Sequence, residues 1–362
     1  MDKVYLLLPK QSSIYSAIYD VYNDLYLGLK SINTHSKIIL LNLDERNAPF
    51  PYFKTEEYSA RDIPSILDSE GFFLTIDDFS LLKSLYKYGV GRKLLIWAHI
   101  FYGHRFLFRR YVDLPRRNFG QRDVTFIANL LPSFLLHWKA RFYIETLNRN
   151  RVIAQSLWTD LLLERVYNIK TEGVLYIPIE PTYYDVKVEK TNSLLIYFGN
   201  IIDTDLIALK NVLDELTKTN SNIKLDYFGD KNIGEFFSRK YGFNLNYLGK
   251  LDRKKLSEEY ARHTATIAPV YNGNFEMVPI QSLLSGTPVI SFIQPFMEVT
   301  GRSEVVANIS NVHEVKTKYK YWSYSSSESI QRIKDKILSV MLNTKVADEL
   351  MRKYFLDLNS QI

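Results

Sequence analysis

The chain has 362 residues, of which 46% are hydrophobic and 24% charged, a composition that excludes a disordered protein and is sufficient for two globular domains. It contains no cysteine, which excludes disulfides, thiolate metal sites and cysteine nucleophiles. The net charge is a moderate +6, and no apolar run has the length of a signal peptide or a membrane span, so we expect a cytoplasmic protein.

The first half of the chain alternates between predicted strands and helices. An apolar run over Val4–Leu8 predicts a strand, and apolar residues at spacings of three and four from Ile14 to Leu29 predict a helix. A strand, a helix and a second strand at Lys37–Leu43 are typical of a parallel, doubly wound sheet. Its later strands are predicted at Phe72–Ile76, Leu94–Ala98, Thr125–Ala128 and Val152–Ala154.

The same alternation begins again after the polar stretch Tyr183–Asn192, which is a predicted linker. The pattern predicts strands at Leu194–Phe198, Ile223–Phe228, Tyr247–Leu248, Thr266–Ala268 and Val289–Phe292, with helices at Asp205–Leu216 and Ser329–Asn359.

We therefore predict an α/β protein with two doubly wound, Rossmann-like domains. The predicted domains cover residues 1–182 and 193–340, and a C-terminal helix at 341–362 could cross back to the first domain. Ligands of open α/β sheets bind beyond the carboxyl ends of the strands, so the site is expected in a cleft between the two domains.

The segment at 268–291 predicts a helix start suited to binding a phosphate. A strand ends at Pro269, a polar loop follows, and a helix opens around Pro279 and closes at Gly286, which are favoured places for proline and glycine. The backbone amides of Glu276–Pro279 would then carry the positive end of the helix dipole, where an anion can bind.

This segment resembles the donor-binding motif of the family 4 retaining glycosyltransferases. That motif has Glu-Gly-Phe-Gly after a proline, then apolar residues, Glu-Ala and Gly-Thr-Pro-Val. The match is carried by Phe275, Val278, Pro279 and the run from Gly286 to Val289. Three further segments resemble the family. Tyr197–Asn200 resembles its strand followed by Gly-Arg, and Tyr247–Leu251 resembles the strand before the motif. Arg151–Glu164 resembles the end of the first domain.

The resemblance implies a GT-B fold with an N-terminal acceptor domain and a C-terminal donor domain. It also implies transfer of a sugar from a nucleotide-diphosphate donor to an acceptor hydroxyl, with retention of configuration and without metal or another cofactor. The acceptor could be a glycan, a lipid-linked molecule or a protein.

The predicted donor site departs from the family pattern at Gly273 and Gln281, which align with its two glutamates, and at Asn200 and Asp205, which align with its diphosphate-binding Arg and Lys. Gln281 could still bond to a ribose hydroxyl. The residues predicted to bind the donor are Gly199, Asn200, Lys250, Arg253, Gly273, Asn274, Phe275, Met277, Val278 and Gln281.

Two residues are predicted to be catalytic. His99 follows the strand Leu94–Ala98, where the family often has a histidine near the donor sugar and acceptor; a buried structural histidine is the alternative. Glu276 could reach the sugar from the donor loop, or be a solvated residue in the first turn of a helix. The Asp-x-Asp at Asp203–Asp205 precedes a predicted helix and is interpreted as capping, so no metal site is predicted.

Arginines interleaved with aromatic residues fill the segment Arg105–Arg122. This segment could make a peripheral membrane contact with anionic lipids or bind a polyanionic acceptor or nucleic acid. It could instead form an exposed basic helix and loop with its aromatic residues turned inward. No nucleic-acid motif is present, so nucleic acid is not an expected partner. The alternative to an enzyme is a non-catalytic GT-B module that binds a glycan, a membrane surface or a partner transferase.

Overall fold

The computed structural model describes residues 3–9, 17–42, 56–59, 62–67, 71–88, 94–99, 143–199, 203–269, 277–292, 296–325 and 327–356. These residues fall into two compact units. The first unit takes the described residues up to 180 and those from 340 onward, and the second takes those between 181 and 339.

The first unit is built on a parallel sheet of six strands in the order β3-β2-β1-β4-β5-β6. Strands β4 and β5 are buried along their whole length, as expected for a parallel sheet that is covered on both faces. The strands are β1 (Lys3–Pro9), β2 (His35–Asn42), β3 (Glu56–Ser59), β4 (Phe72–Ile76), β5 (Leu94–Ala98) and β6 (Arg151–Ala154).

The second unit repeats this architecture with a parallel sheet in the order β12-β11-β10-β7-β8-β9. Its largest core cluster joins the central strands to the helices beside them. The strands are β7 (Ser193–Phe198), β8 (Lys224–Gly229), β9 (Asn246–Tyr247), β10 (Ala265–Ala268), β11 (Val289–Ser291) and β12 (Val306–Asn308).

Helices connect the strands in both units. In the first unit these are α1 (Ala17–Ser31), α2 (Ile63–Leu67), α3 (Phe79–Tyr88), a stretch over 143–148 and α4 (Leu157–Tyr167). A short 3₁₀ turn, Pro181–Tyr184, opens the second unit. The later helices are α5 (Asp203–Thr219), α6 (Lys231–Tyr241), α7 (Arg253–Arg262), α8 (Met277–Leu284), α9 (Met297–Thr300), α10 (Val312–Ser325), α11 (Ser327–Met341) and α12 (Asn343–Glu349), and a π-helical stretch Leu350–Leu356 follows.

Helix α12 brings the end of the described chain back to the first unit, where it packs on α1. Gly28 of α1 makes this approach possible, because the carbonyl oxygen of Asn343 fills the space that a side chain at position 28 would need. The ring of Phe355 stacks on that of Phe72 in β4, with centroids 4.7 Å apart. The C-terminal residues therefore complete one face of the first sheet.

The two parallel sheets confirm the predicted α/β class with two doubly wound units. The predicted strand at Thr125–Ala128 lies outside the described residues. Strand β3 was not predicted, because its residues Glu56–Ser59 form a polar edge strand without an apolar run. The assignment of 1–182 to the acceptor and 193–340 to the donor stays a prediction.

Candidate functional site

The second sheet has a topological switch point between β7 and β10. From β7 the chain builds outward through β8 and β9, and from β10 it builds in the opposite direction through β11 and β12. Loops that leave the carboxyl ends of two such strands diverge, and the crevice between them is the usual ligand site of an open α/β sheet. Gly199 directly follows β7, and helix α8 is the next described element after β10.

Gly199 leaves room for an aromatic ring beside the end of β7. A side chain at this position would collide with the ring of Tyr197, which folds back over the glycine. Tyr197 also contacts Phe228 of β8, with ring centroids 5.0 Å apart. The absence of a side chain at Gly199 therefore leaves the space that the ring of Tyr197 occupies.

Gln281, on the second turn of α8, is held by a buried tyrosine. The hydroxyl of Tyr260 in α7 donates to Oε1 of Gln281 at 3.4 Å. Burial raises the pKa of Tyr260 well above 10, and the nearby Tyr184 and Tyr197 raise it further, so the phenol keeps its proton. The N–H groups of the same side-chain amide are donors of the kind that binds a ligand hydroxyl.

At the start of α8 one side chain is packed in the core, and the first backbone N–H groups have no acceptor within the helix. Val278 is buried in a cluster with Leu195, Phe228 and Tyr260, so its side chain belongs to the core. Met277 is half-buried. For both residues the backbone amide at the helix start is the group that suits a phosphate. Five predicted site residues lie outside the described residues: Asn200, Gly273, Asn274, Phe275 and Glu276.

Arg253 is the first residue of α7, and its guanidinium contacts two tyrosines. Its Cζ is 4.0 Å from the ring centroid of Tyr183 and 5.4 Å from that of Tyr184. Its Nη2 donates to the hydroxyl of Tyr184 at 3.2 Å. Lys250, in contrast, is an exposed residue that follows Gly249. The contacts with Tyr183 and Tyr184 restrict the position of the Arg253 guanidinium.

Two residues that match the Gly-Thr-Pro-Val part of the family motif, Gly286 and Thr287, stabilise the structure around α8. Gly286 ends α8 with a φ of +85°, a conformation that favours glycine. The hydroxyl of Thr287 donates to the carbonyl oxygen of Tyr260 at 2.6 Å, and Lys190 donates to the same hydroxyl at 2.8 Å. Burial, with Lys334 nearby, lowers the pKa of Lys190 to about 8. These contacts fix α7 against α8.

His99 lies at the carboxyl end of β5 in the first sheet and is buried. Its backbone N–H donates to Oδ1 of Asp77 at 2.8 Å, and its ring meets that of Trp97 edge-on at 4.9 Å. Burial lowers the pKa of His99 from 6.5 to about 3, and a hydrogen bond with Gln155 opposes the shift only in part. The imidazole is therefore neutral near pH 7, able to donate or accept a hydrogen bond but not to act as a cationic acid.

Asp77 is a residue whose role the sequence analysis missed. It directly follows β4, next to β1, where the strand order of the first sheet changes direction, and it is fully buried. Its Oδ2 accepts from the hydroxyl of Tyr143. Burial, and then the charge of Asp77, raise the pKa values of Tyr22 and Tyr143 well above 10. Its position at the end of a strand beside the switch point is the signal that could have identified it.

In the part of the chain that the structure describes, no group of three or more His, Asp or Glu side chains could hold a metal ion. None of the helices in those same segments has the length and apolar character to cross a membrane. The arginine-rich segment Arg105–Arg122 lies outside the described residues.

Comparison with known proteins gives structural relatives only. No protein-family profile matches the sequence, and no curated protein sequence matches it. Among solved structures, sucrose-phosphate synthase from Thermosynechococcus elongatus is 11% identical with a TM-score of 0.68, covering 99% of this chain and 100% of that protein. A variant of S. aureus TarM, in complex with fondaparinux, alpha-GlcNAc-glycerol and UDP, is 7% identical with a TM-score of 0.68, covering 98% and 100%.

A third similar structure is AviGT4, a glycosyltransferase involved in avilamycin A biosynthesis, which is 14% identical with a TM-score of 0.60 and covers 99% of this chain and 98% of that one. At such identities a match over nearly both whole chains shows the fold and not the reaction. The chain therefore has the GT-B fold of these glycosyltransferases.

Proposed function

We propose that the chain transfers a sugar from a nucleotide-diphosphate donor to an acceptor hydroxyl, with retention of configuration and without a metal ion. The observation that carries this proposal is where three residues predicted to bind the donor lie in the second unit. Gly199 directly follows β7, Gln281 is on α8, and Arg253 begins α7, which packs on α8. The GT-B fold supports the same assignment, because TarM, which shares it, carries UDP.

The chemistry of the reaction requires positive charge beside the leaving group. A departing nucleoside diphosphate gains negative charge in the transition state, and fixed cations and amides stabilise it. The backbone amides at the start of α8 supply one part of this environment. Arg253 supplies the cation, since positions 200 and 205 hold Asn and Asp. A charge-assisted hydrogen bond of this kind contributes roughly 1.5–3 kcal/mol.

The two predicted catalytic residues have different tasks in this proposal. His99 is neutral, because burial lowers its pKa to about 3, so it orients a sugar hydroxyl by a hydrogen bond and does not transfer a proton. Glu276, which the sequence places in the donor loop, is assigned the negative charge beside the developing oxocarbenium ion. Retention itself rests on the resemblance to the family 4 enzymes.

The acceptor is a glycan, a lipid-linked molecule or a protein. Arg105–Arg122, with six arginines and one aspartate before Asp123, would suit a lipid-linked acceptor by drawing the protein to anionic lipid from the cytoplasmic side. Binding to phosphatidylglycerol vesicles, compared between the wild type and a variant with Arg109, Arg110, Arg116 and Arg117 replaced by Gln, tests this part of the proposal.

A second candidate is a non-catalytic GT-B module that binds glycan, a membrane surface or a partner transferase. The observation that favours it is the loss of four charged residues of the family pattern, at Asn200, Asp205, Gly273 and Gln281. Such a module would bind its partner without consuming a nucleotide sugar.

The test is a thermal-shift screen with UDP, GDP and ADP and with sugars linked to each, followed by a turnover assay. A ligand at 100 times its dissociation constant stabilises the folded state by about 2.7 kcal/mol, which raises the melting temperature. We expect one nucleotide series to do so and its sugar to be transferred, or slowly released to water. If no nucleoside diphosphate binds at millimolar concentration, the enzymatic proposal is wrong and the binding module takes its place.

A further inference from the structure

The guanidinium of Arg253 is held by an aromatic pair that comes from a distant part of the sequence. Tyr183 and Tyr184 belong to the 3₁₀ turn Pro181–Tyr184, which packs against both α7 and α8. One ring lies 4.0 Å from the guanidinium carbon and the other 5.4 Å. A cation over the face of a tyrosine gains electrostatic attraction, and two rings together restrict the directions in which the side chain can point.

The hydroxyl of Tyr184 adds a directional contact to those of the two rings. It accepts a hydrogen bond from Nη2 of Arg253 at 3.2 Å. Tyr184 also lies close enough to Tyr260 to raise its pKa, and Tyr260 in turn donates to Gln281. Arg253 and Gln281 thus each have a tyrosine hydroxyl as a hydrogen-bond partner, Tyr184 for the first and Tyr260 for the second. A guanidinium has five N–H donors in a rigid fork, so a bond to Tyr184 is compatible with bidentate binding to a phosphate.

The charge around Arg253 also points to an anionic ligand. Arg253, Lys254 and Lys255 follow one another in the first turn of α7, which contains no acidic residue. Cations at this end of a helix are opposed by the helix dipole. Asp252 is the N-cap, and its carboxylate accepts from the backbone N–H of Lys255 at 2.9 Å. One carboxylate against three cations leaves a net positive helix start beside α8.

We infer that Tyr183 and Tyr184 are positioning residues that hold Arg253 as the cation for the donor diphosphate. In this arrangement Arg253 replaces the Arg and Lys that the family pattern has where this chain has Asn200 and Asp205. The inference rests on the proposed function, which it extends by assigning the charge stabilisation to one residue and its orientation to two tyrosines.

The test measures binding of UDP, GDP and ADP by calorimetry, and compares the nucleotide that binds best with its own nucleoside. Arg253→Gln is expected to lower the affinity for the nucleoside diphosphate 10- to 100-fold and to leave the affinity for the nucleoside unchanged. Tyr184→Phe keeps the ring and removes the hydrogen bond, so a loss of about threefold to tenfold is expected, again for the diphosphate alone. Tyr183→Leu removes the closer ring and is expected to have a similar effect.

A double variant separates positioning from a general structural role. If Tyr184 acts through Arg253, Tyr184→Phe should change the affinity less than about twofold when Arg253→Gln is already present. Arg253→Lys keeps the charge without the planar fork, so its affinity should fall between those of the wild type and Arg253→Gln. Tyr321→Phe, at a tyrosine exposed on α10, is the matched control and should bind as the wild type does.

The possible failures are distinguishable. If the wild type binds a nucleoside diphosphate and Arg253→Gln binds it equally well, this inference is overturned while the proposed function stands. The same holds if the tyrosine variants lower the affinity for the nucleoside as much as that for the diphosphate. It also holds if their losses of binding free energy add fully to the loss caused by Arg253→Gln. If the wild type binds none of the three diphosphates, both the proposed function and the inference fall.

Discussion

Replacing His99 by glutamine should remove a large part of the pH dependence of the free energy of unfolding. The folded protein holds this histidine at a pKa of about 3, compared with 6.5 for an unburied histidine. Between these values the unfolded chain binds a proton that the folded chain does not, so stability falls as the pH falls. From pH 7 to pH 5 this one group should cost about 2 kcal/mol.

The assay is urea unfolding of the wild type and of His99→Gln at pH 7 and at pH 5, followed by circular dichroism. The quantity compared is the change in unfolding free energy between the two pH values, so any constant cost of the substitution cancels. His313→Gln is the control, because that side chain is exposed on α10. If the wild type and His99→Gln lose equal stability between pH 7 and pH 5, His99 does not stay neutral in the folded state, and the hydrogen-bonding role proposed for it is wrong.

Three further substitutions test the packing and the site. Asp77→Asn should lower the free energy of unfolding in urea by about 1–3 kcal/mol, since one of two buried donors loses its acceptor. Asp78→Asn is the control and should lower it by almost nothing, because Asn caps α3 equally well. Equal losses for the two variants would contradict the role of Asp77. Gln281→Ala should lower the affinity for UDP in calorimetry about threefold to tenfold and leave the affinity for 2′,3′-dideoxy-UDP unchanged. Equal losses of affinity for both ligands would rule out the ribose contact. Gly28→Ala should cost roughly 1–3 kcal/mol in urea unfolding, because its methyl group would overlap the carbonyl of Asn343; unchanged stability would contradict the packing of α12 on α1.

The fold was predictable where strands are buried and apolar. The predicted strands Phe72–Ile76 and Leu94–Ala98 match β4 and β5 residue for residue, because both are buried along their whole length and therefore have nearly continuous apolar sequences. Strand β3 was not predictable in this way. Its pairing with β2 is made by backbone hydrogen bonds at a sheet edge, where side-chain polarity carries little information.

The candidate site was predictable only from positions at strand ends and from the family motif. His99 was identified because it directly follows a strand, where the family often has a histidine, and Gly199 because Tyr197–Asn200 resembles the family's strand followed by Gly-Arg. The partners of Arg253 were not, since Tyr183 and Tyr184 precede it by about 70 residues and lie in what the sequence presents as a polar linker. Contacts between such distant residues depend on tertiary packing, which local patterns do not encode. Asp77 was missed for a related reason, because Asp77 and Asp78 have the same local signal and only Asp78 caps a helix.

The central claim is that a nucleoside diphosphate binds at the carboxyl edge of the second sheet, against α7 and α8. Hydrogen–deuterium exchange with and without saturating UDP, or GDP or ADP if one of these binds better, tests it most directly, because amides that gain a ligand or lose opening motions exchange more slowly. The account predicts slower exchange in peptides that cover the starts of α7 and α8, at 251–260 and 277–284, with no change in 231–241 of α6. Slower exchange confined to other peptides, with these two unchanged at saturation, would contradict it.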